Sequence, residues 1–336
     1  MQTDGWMLEL SPPEKLDTPP ATQPFLFELP EPKRGRFRVY HDESLPERGV
    51  RPLTGHGLLY VPESAVSSIA STLRAERRGY SGEVHFSEIR GDTGQQERFA
   101  VASRWVAKFF SDLIDEAPFK ATFAIHDGPR PIPYPDQRIA YLKHMLAGTR
   151  MTFVGLTRFA LRGWDTIHVD PIFDATGNDA IRRAYERSVE HFAHRANQRR
   201  VDGDQRYPFV KYSPARFLAS DSRQVAPDDQ DDAELLQLTD ILLGAAQHAL
   251  EFRHTSKHSG RLQLARDVAS GMAAHWGGSQ LRYARRARNF TVTLWPDKFG
   301  FAYPALPSRR PAADLPRSPL PGSGAWLLRP LDSSHT

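Results

Sequence analysis

Four carboxylates stand in short contexts that could do chemistry. Asp42 lies in Phe37-Arg-Val-Tyr-His-Asp-Glu-Ser44, and Glu88 closes Glu83-Val-His-Phe-Ser-Glu88. Asp170 ends Thr166-Ile-His-Val-Asp170, and Asp240 lies in Leu236-Gln-Leu-Thr-Asp-Ile-Leu-Leu-Gly244. Two of them end strand-like runs, one follows a third such run, and one sits inside an apolar helical pattern. A buried charge needs a partner. The simplest partner that several carboxylates can share is a hard divalent cation, and oxygen ligands suit Mg2+ or Mn2+. Each aspartate also has a plain structural alternative, because aspartates often cap turns and helices.

Other motifs are excluded or set aside. Ser44 lacks the Gly-x-Ser-x-Gly frame of a nucleophile elbow, and Gly91-Asp-Thr-Gly94 lacks the lysine and spacing of a phosphate loop. His191 with His194, and His254 with His258, have helical ligand spacing but no evident third ligand, so they read as surface residues. Asp127, in His126-Asp-Gly128, is the rival carboxylate and reads as part of a turn.

These residues must be carried by a sizeable fold. The chain has 336 residues, 40% hydrophobic and 25% charged, an ordinary globular composition. Its 44 basic and 40 acidic residues leave +4, too little to argue for nucleic acid by itself. Arginine clusters at 74–78, 195–200 and 282–288 argue better. In the last, Arg282, Arg285 and Arg286 accompany Tyr283, a mix suited to phosphate contact and stacking; the alternative is a solvated helix face. Cysteine is absent, which excludes disulfides and thiolate chemistry and fits a reducing, cytoplasmic setting. Residues 1–10 do not resemble a secretory signal, and no apolar run is long enough to suggest a membrane span.

Proline density predicts an extended arm over residues 1–35 and an irregular tail over 304–336, both suited to a protein partner or to self-association. Between them, 36–303 reads as one α/β domain ending in a helical and hairpin extension. Strands are expected at 35–42, 57–62, 83–86, 119–125 and 165–170, with a hairpin of 290–295 and 299–303. Helices are expected after Ser64, around Val106 to Leu113, over 139–146, around Ile181 to Phe192, and over 231–250. In the last, Asp231 and Glu234 form a capping box, and Gln237, Asp240 and Gly244 form a polar strip. The alternation predicts a mixed sheet covered by helices.

Four motifs in this order resemble the family called domain of unknown function 3800: Asp42-Glu43-Ser44, His85-Phe86-Ser87-Glu88, a strand ending in Asp170, and Gln237-Leu-Thr-Asp240 with Gly244. The resemblance spans roughly residues 36–250. It implies a ribonuclease-H-like fold with a first-strand aspartate central to a carboxylate cluster, and with it magnesium- or manganese-dependent phosphodiester chemistry on DNA or RNA. On that expectation Asp42 bridges two ions, while Glu88, Asp170 and Asp240 complete the ligand set. Glu43 ranks lower because it points to the other strand face, and His85 either serves a phosphate or is a hydrogen-bonded core histidine. The competing expectation is a non-catalytic nucleic-acid- or protein-binding module on the same scaffold.

Overall fold

The computed structural model describes residues 31–44, 53–90, 96–125, 148–150, 152–155, 157, 161–250, 259–275, 284–287 and 289–295. The chain divides into two units, Met1–Pro32 and Lys33–Thr336, and the fold below lies in the second. The expected proline-rich arm and tail lie almost wholly outside the described residues. So do the expected helix at 139–146, Asp127, His254, His258, Arg282 and the expected strand at 299–303.

The first strand, β1 (Arg34–Ser44), is central. On one side it pairs antiparallel with β2 (Leu53–Pro62), which pairs antiparallel with β3 (Phe119–Ile125). On the other side it pairs parallel with β4 (Thr166–Asp174), which is flanked in parallel by β5 (Phe209–Tyr212) and β6 (Arg216–Leu218). β7 (Ala284–Ala287) and β8 (Phe290–Trp295) extend the far edge, with β8 parallel to β3. The result is one eight-stranded mixed sheet ordered β5-β4-β1-β2-β3-β8-β7, with β6 beside β4.

Both faces are covered. Alternation along β1 sends Tyr40 into one core and Phe37 and Val39 into the other. The first core lies beneath α1 (Val66–Glu76), α2 (Gln96–Lys108), α4 (Gln230–Leu250) and α5 (Ser259–Ala274). The second lies beneath α3 (Asp179–Val201), through Tyr185, Val189 and Phe192. Burial from both sides explains why Leu58, Leu59, Tyr60 and Val61 form an unbroken apolar run in β2. No helix among the described residues is long and apolar enough to cross a membrane.

Four local expectations are corrected. β4 does not stop at Asp170 but runs through Pro171 to Asp174. The proline is tolerated because its missing N–H falls where the outer partner changes, from β5 ending at Tyr212 to β6 starting at Arg216. Residues 83–85 form no strand; side chains of α4 hold them instead. The capping box of α4 is absent: the helix begins at Gln230, Asp231 pairs with Arg74 at 2.6 Å, and buried Glu234 accepts from Arg77 Nε at 3.0 Å. Finally, Arg285 and Arg286 lie on the strand β7, not on a helix, and β7 is the antiparallel partner of β8.

Candidate active site

Two parallel strands and one helix bring aspartates together. His41 of β1 stands beside Phe173 of β4, so Asp42 and Asp174 follow at the C-terminal ends of neighbouring strands. Both share the parity of Tyr40 and Ile172, which places them on the face covered by α4. Gly57 of β2 seats that helix, since a Cβ there would stand 3.1 Å from Cβ of Leu243. The polar strip of α4 then serves the segment 84–86. Gln237 Oε1 accepts from Val84 N at 2.8 Å and from Arg77 Nη2 at 2.9 Å, and Gln237 Nε2 donates to Ser220 O at 2.6 Å. Asp240 Oδ2 accepts from Phe86 N at 2.6 Å. These side chains take the place of a sheet partner for backbone groups that would otherwise be unsatisfied. Gly244 completes the strip: the Phe86 ring lies on it, and a Cβ would fall 2.3 Å from Phe86 Cδ1.

The carboxyl of Asp42 neighbours that of Asp240, and interaction with it favours the protonated form of Asp42. Burial first, and then the charges of Asp240 and Asp174, push the Asp42 carboxyl well above the usual carboxylate range, against a stabilising bond from Glu43 N at 2.8 Å. Burial also raises Asp174. Asp240 and Glu83 add to that rise, while the Ala175 N–H and His85 oppose it. His85 Nδ1 accepts from Ser87 N at 3.1 Å and lies 3.5 Å from Asp240 Oδ2. Because a backbone N–H can only donate, Nδ1 is the acceptor there, and the neutral ring carries its proton on Nε2.

The structure brings together some of the expected residues and separates others. Asp240 stands beside both Asp42 and His85. Asp170 does not join them: four residues before Asp174, it lies roughly 13 Å down the strand at about 3.3 Å per residue. Arg36 Nε donates to it at 2.7 Å, Ser213 Oγ also donates to it, and His168 Nε2 is 3.3 Å away. Burial pushes the Asp170 carboxyl up, but the bonds from Arg36 and Ser213 outweigh this and leave it below its usual range. Glu88 is half exposed and paired with Arg98 at 2.7 Å. Glu43 lies on the opposite face of β1, where Tyr185 Oη donates to it at 2.5 Å. Two members escaped the sequence reading, Asp174 and Glu83. The signal for Asp174 was present, because the alternation of Asp170, Ile172 and Asp174 continues past Pro171.

The donor set around Asp42 is hard oxygen, which fits Mg2+ or Mn2+ in kind. As placed, Asp42 and Asp240 are in contact, while Asp174 acts on Asp42 through its charge. Among the described residues no three His, Asp or Glu side chains converge as a formed metal-binding group. No protein-family model matches the chain, and searches of curated proteins and solved structures find no match either.

Proposed function

We propose that the protein is a divalent-cation-dependent phosphodiester hydrolase acting on nucleic acid, built as a ribonuclease-H-like domain of the family it resembles. The observation that carries this reading is the grouping of Asp42, Asp174 and Asp240 from two neighbouring strands and the helix over them, close enough for the last two to raise the Asp42 carboxyl. A mixed sheet whose central first strand presents Asp42 at its C-terminal end supports the same reading.

Asp42, Asp174 and Asp240 are the groups that would hold Mg2+ or Mn2+. When bound, the cation supplies a lowered pKa for water and charge stabilisation at the phosphate oxygens. The chain's own residues do the rest. Asp42, whose carboxyl is raised, must release its proton before it can ligate. His85 offers Nε2–H as a donor toward an anionic oxygen. Gln237 and Gly244 fix the segment that carries His85, so its position depends on α4 rather than on a loop. Glu83, bonded by Ser220 Oγ at 2.8 Å, adds negative charge behind Asp174.

The test is cleavage of labelled single- and double-stranded DNA and RNA by the full chain, with Mn2+, Mg2+ or chelator. Wild type should cleave at least one substrate only with a cation, and Asp42→Asn and Asp240→Asn should each lose about 100-fold or more, the scale of removing one transition-state stabilising group. Cation-independent cleavage, or full activity in Asp42→Asn, would refute the assignment.

A further inference from the structure

We infer that the exposed side of α3, on the sheet face opposite the carboxylates, binds the phosphate backbone of a nucleic acid. The inference rests on the proposed hydrolase reading only for the identity of the polyanion; the track itself is read from α3.

The helix starts at Asp179, a short link after Asp174. Its inner side is fully engaged with the sheet through Tyr185, Val189, Phe192 and Ala196. Its outer side carries Arg183, Arg187, Arg195 and Arg199, all exposed. The last three are separated by four-residue steps through His191, and Arg183 stands one such step before Arg187. Like charges at that spacing weaken a helix by a few tenths of a kcal/mol per pair, so helix stability does not account for them. Glu186 and Glu190 are the only acidic residues interspersed with them. Among the described residues none of the four arginines has a carboxylate or hydrogen-bond partner. Two others on the helix are engaged: Arg200 Nη2 bonds Asp165 at 2.9 Å, and Arg182 Nε bonds Thr176 O at 3.0 Å.

His191, within this series, faces a further cation. Arg150 Nη1 lies 3.2 Å from His191 Nε2, and partial burial followed by the charges of Arg150, Arg195 and His194 holds the His191 imidazole below its ordinary pKa. From Arg183 to Arg199 the rise is roughly 24 Å, about seven nucleotides of one strand at 3.4 Å each. Each four-residue step also advances about 40° round the helix, so the guanidiniums wind along it, which suits a flexible single-stranded polyanion. A membrane surface fits less well, because the apolar side of the helix is already packed on the sheet and cannot insert.

The experiment uses the full chain in chelator, so cleavage and cation binding do not enter. Fluorescence anisotropy with labelled single-stranded DNA and RNA compares wild type, Asp42→Asn, and the quadruple variant Arg183→Gln, Arg187→Gln, Arg195→Gln, Arg199→Gln, each checked for an unchanged melting temperature. A second variant, with lysine at the same four positions, keeps the charge. The glutamine variant should bind at least tenfold more weakly at 0.1 M salt, with a log–log salt slope shallower by about 2–4. Asp42→Asn and the lysine variant should stay within about threefold of wild type. Equal affinity and slope in the glutamine variant would overturn the track. So would equally tight, equally arginine-dependent binding of polyglutamate or of phosphatidylserine vesicles, which would assign the surface to another polyanion. A protein that binds through these arginines but never cleaves with Mn2+ would defeat the hydrolase reading and still support the track.

Discussion

The carboxyl of Asp42, on the central strand, stands beside that of Asp240, on the helix that crosses it, and burial together with that neighbour raises it well above the usual carboxylate range. A raised carboxyl keeps its proton in the folded state over a window that opens near the unfolded value of about 3.9. The folded state binds more protons there, so this group's contribution to stability declines as pH rises from about 4 to the raised value. Melting of the cation-free protein across pH 4–8 should show that decline, and Asp42→Asn should remove it and melt no lower than wild type at pH 7. An Asp42→Asn chain that is unfolded at pH 7 would mark Asp42 as a structural aspartate instead.

Asp174 and Asp170 share β4 but not a role. Asp174→Asn should weaken any Mn2+-dependent rise in melting temperature and should lower cleavage. Asp170→Asn should leave the Mn2+ response intact and cost about 1 kcal/mol of stability. The figure is small because Arg36 is 53% exposed and its ion pair is screened, so most of the loss comes from the Ser213 bond. Urea denaturation of both variants, with and without Mn2+, separates the two outcomes.

Gly244→Ala should act on the site from a distance. The added methyl would meet Phe86 at 2.3 Å, so either the ring or α4 must move. A destabilisation of about 1–3 kcal/mol is expected from such overpacking, together with reduced cleavage as His85 is displaced. Phe86→Ala combined with Gly244→Ala should recover helix packing but not activity, which denaturation and cleavage assays can read in parallel.

On the other face, His41 Nε2 and His56 Nδ1 are buried 3.2 Å apart. Burial first, and His56 next, hold His41 well below the ordinary histidine range. The unfolded chain takes up a proton near pH 6.5 that the folded chain refuses, so this contribution to stability is full above about 6.5 and is lost as pH falls below it. His41→Leu should flatten stability between pH 6.5 and 5, as followed by thermal melting.

Much of the arrangement was legible in the sequence because alternation and helical spacing are local. The faces of β1, the full extent of β3, and the polar strip of α4 follow from parity and from three- and four-residue spacings. That Gly244 admits a close neighbour was readable; that the neighbour is Phe86 was not, because the contact joins distant segments. Ending the strand at Asp170 leaves Asp174 outside it, and Pro171 is harmless to the longer strand because its outer partner changes there from β5 to β6. Glu234 looked like a capping residue because Arg77, its actual partner, lies on another helix-to-loop junction. The segment 83–86 looked like a strand because Val84 and Phe86 alternate in it, yet the N–H groups of those two residues donate to Gln237 and Asp240.

The most direct test of the central claim is thermal melting of the full chain, after chelation and dialysis, titrated with Mn2+ at pH 7.5 and compared with Asp42→Asn. The carboxylate account predicts a saturable upward shift in wild type, worth about 2.7 kcal/mol at a hundredfold excess over the dissociation constant, and little or none in Asp42→Asn. An equal shift in both proteins, or no shift in wild type even with a nucleic acid present, would contradict it.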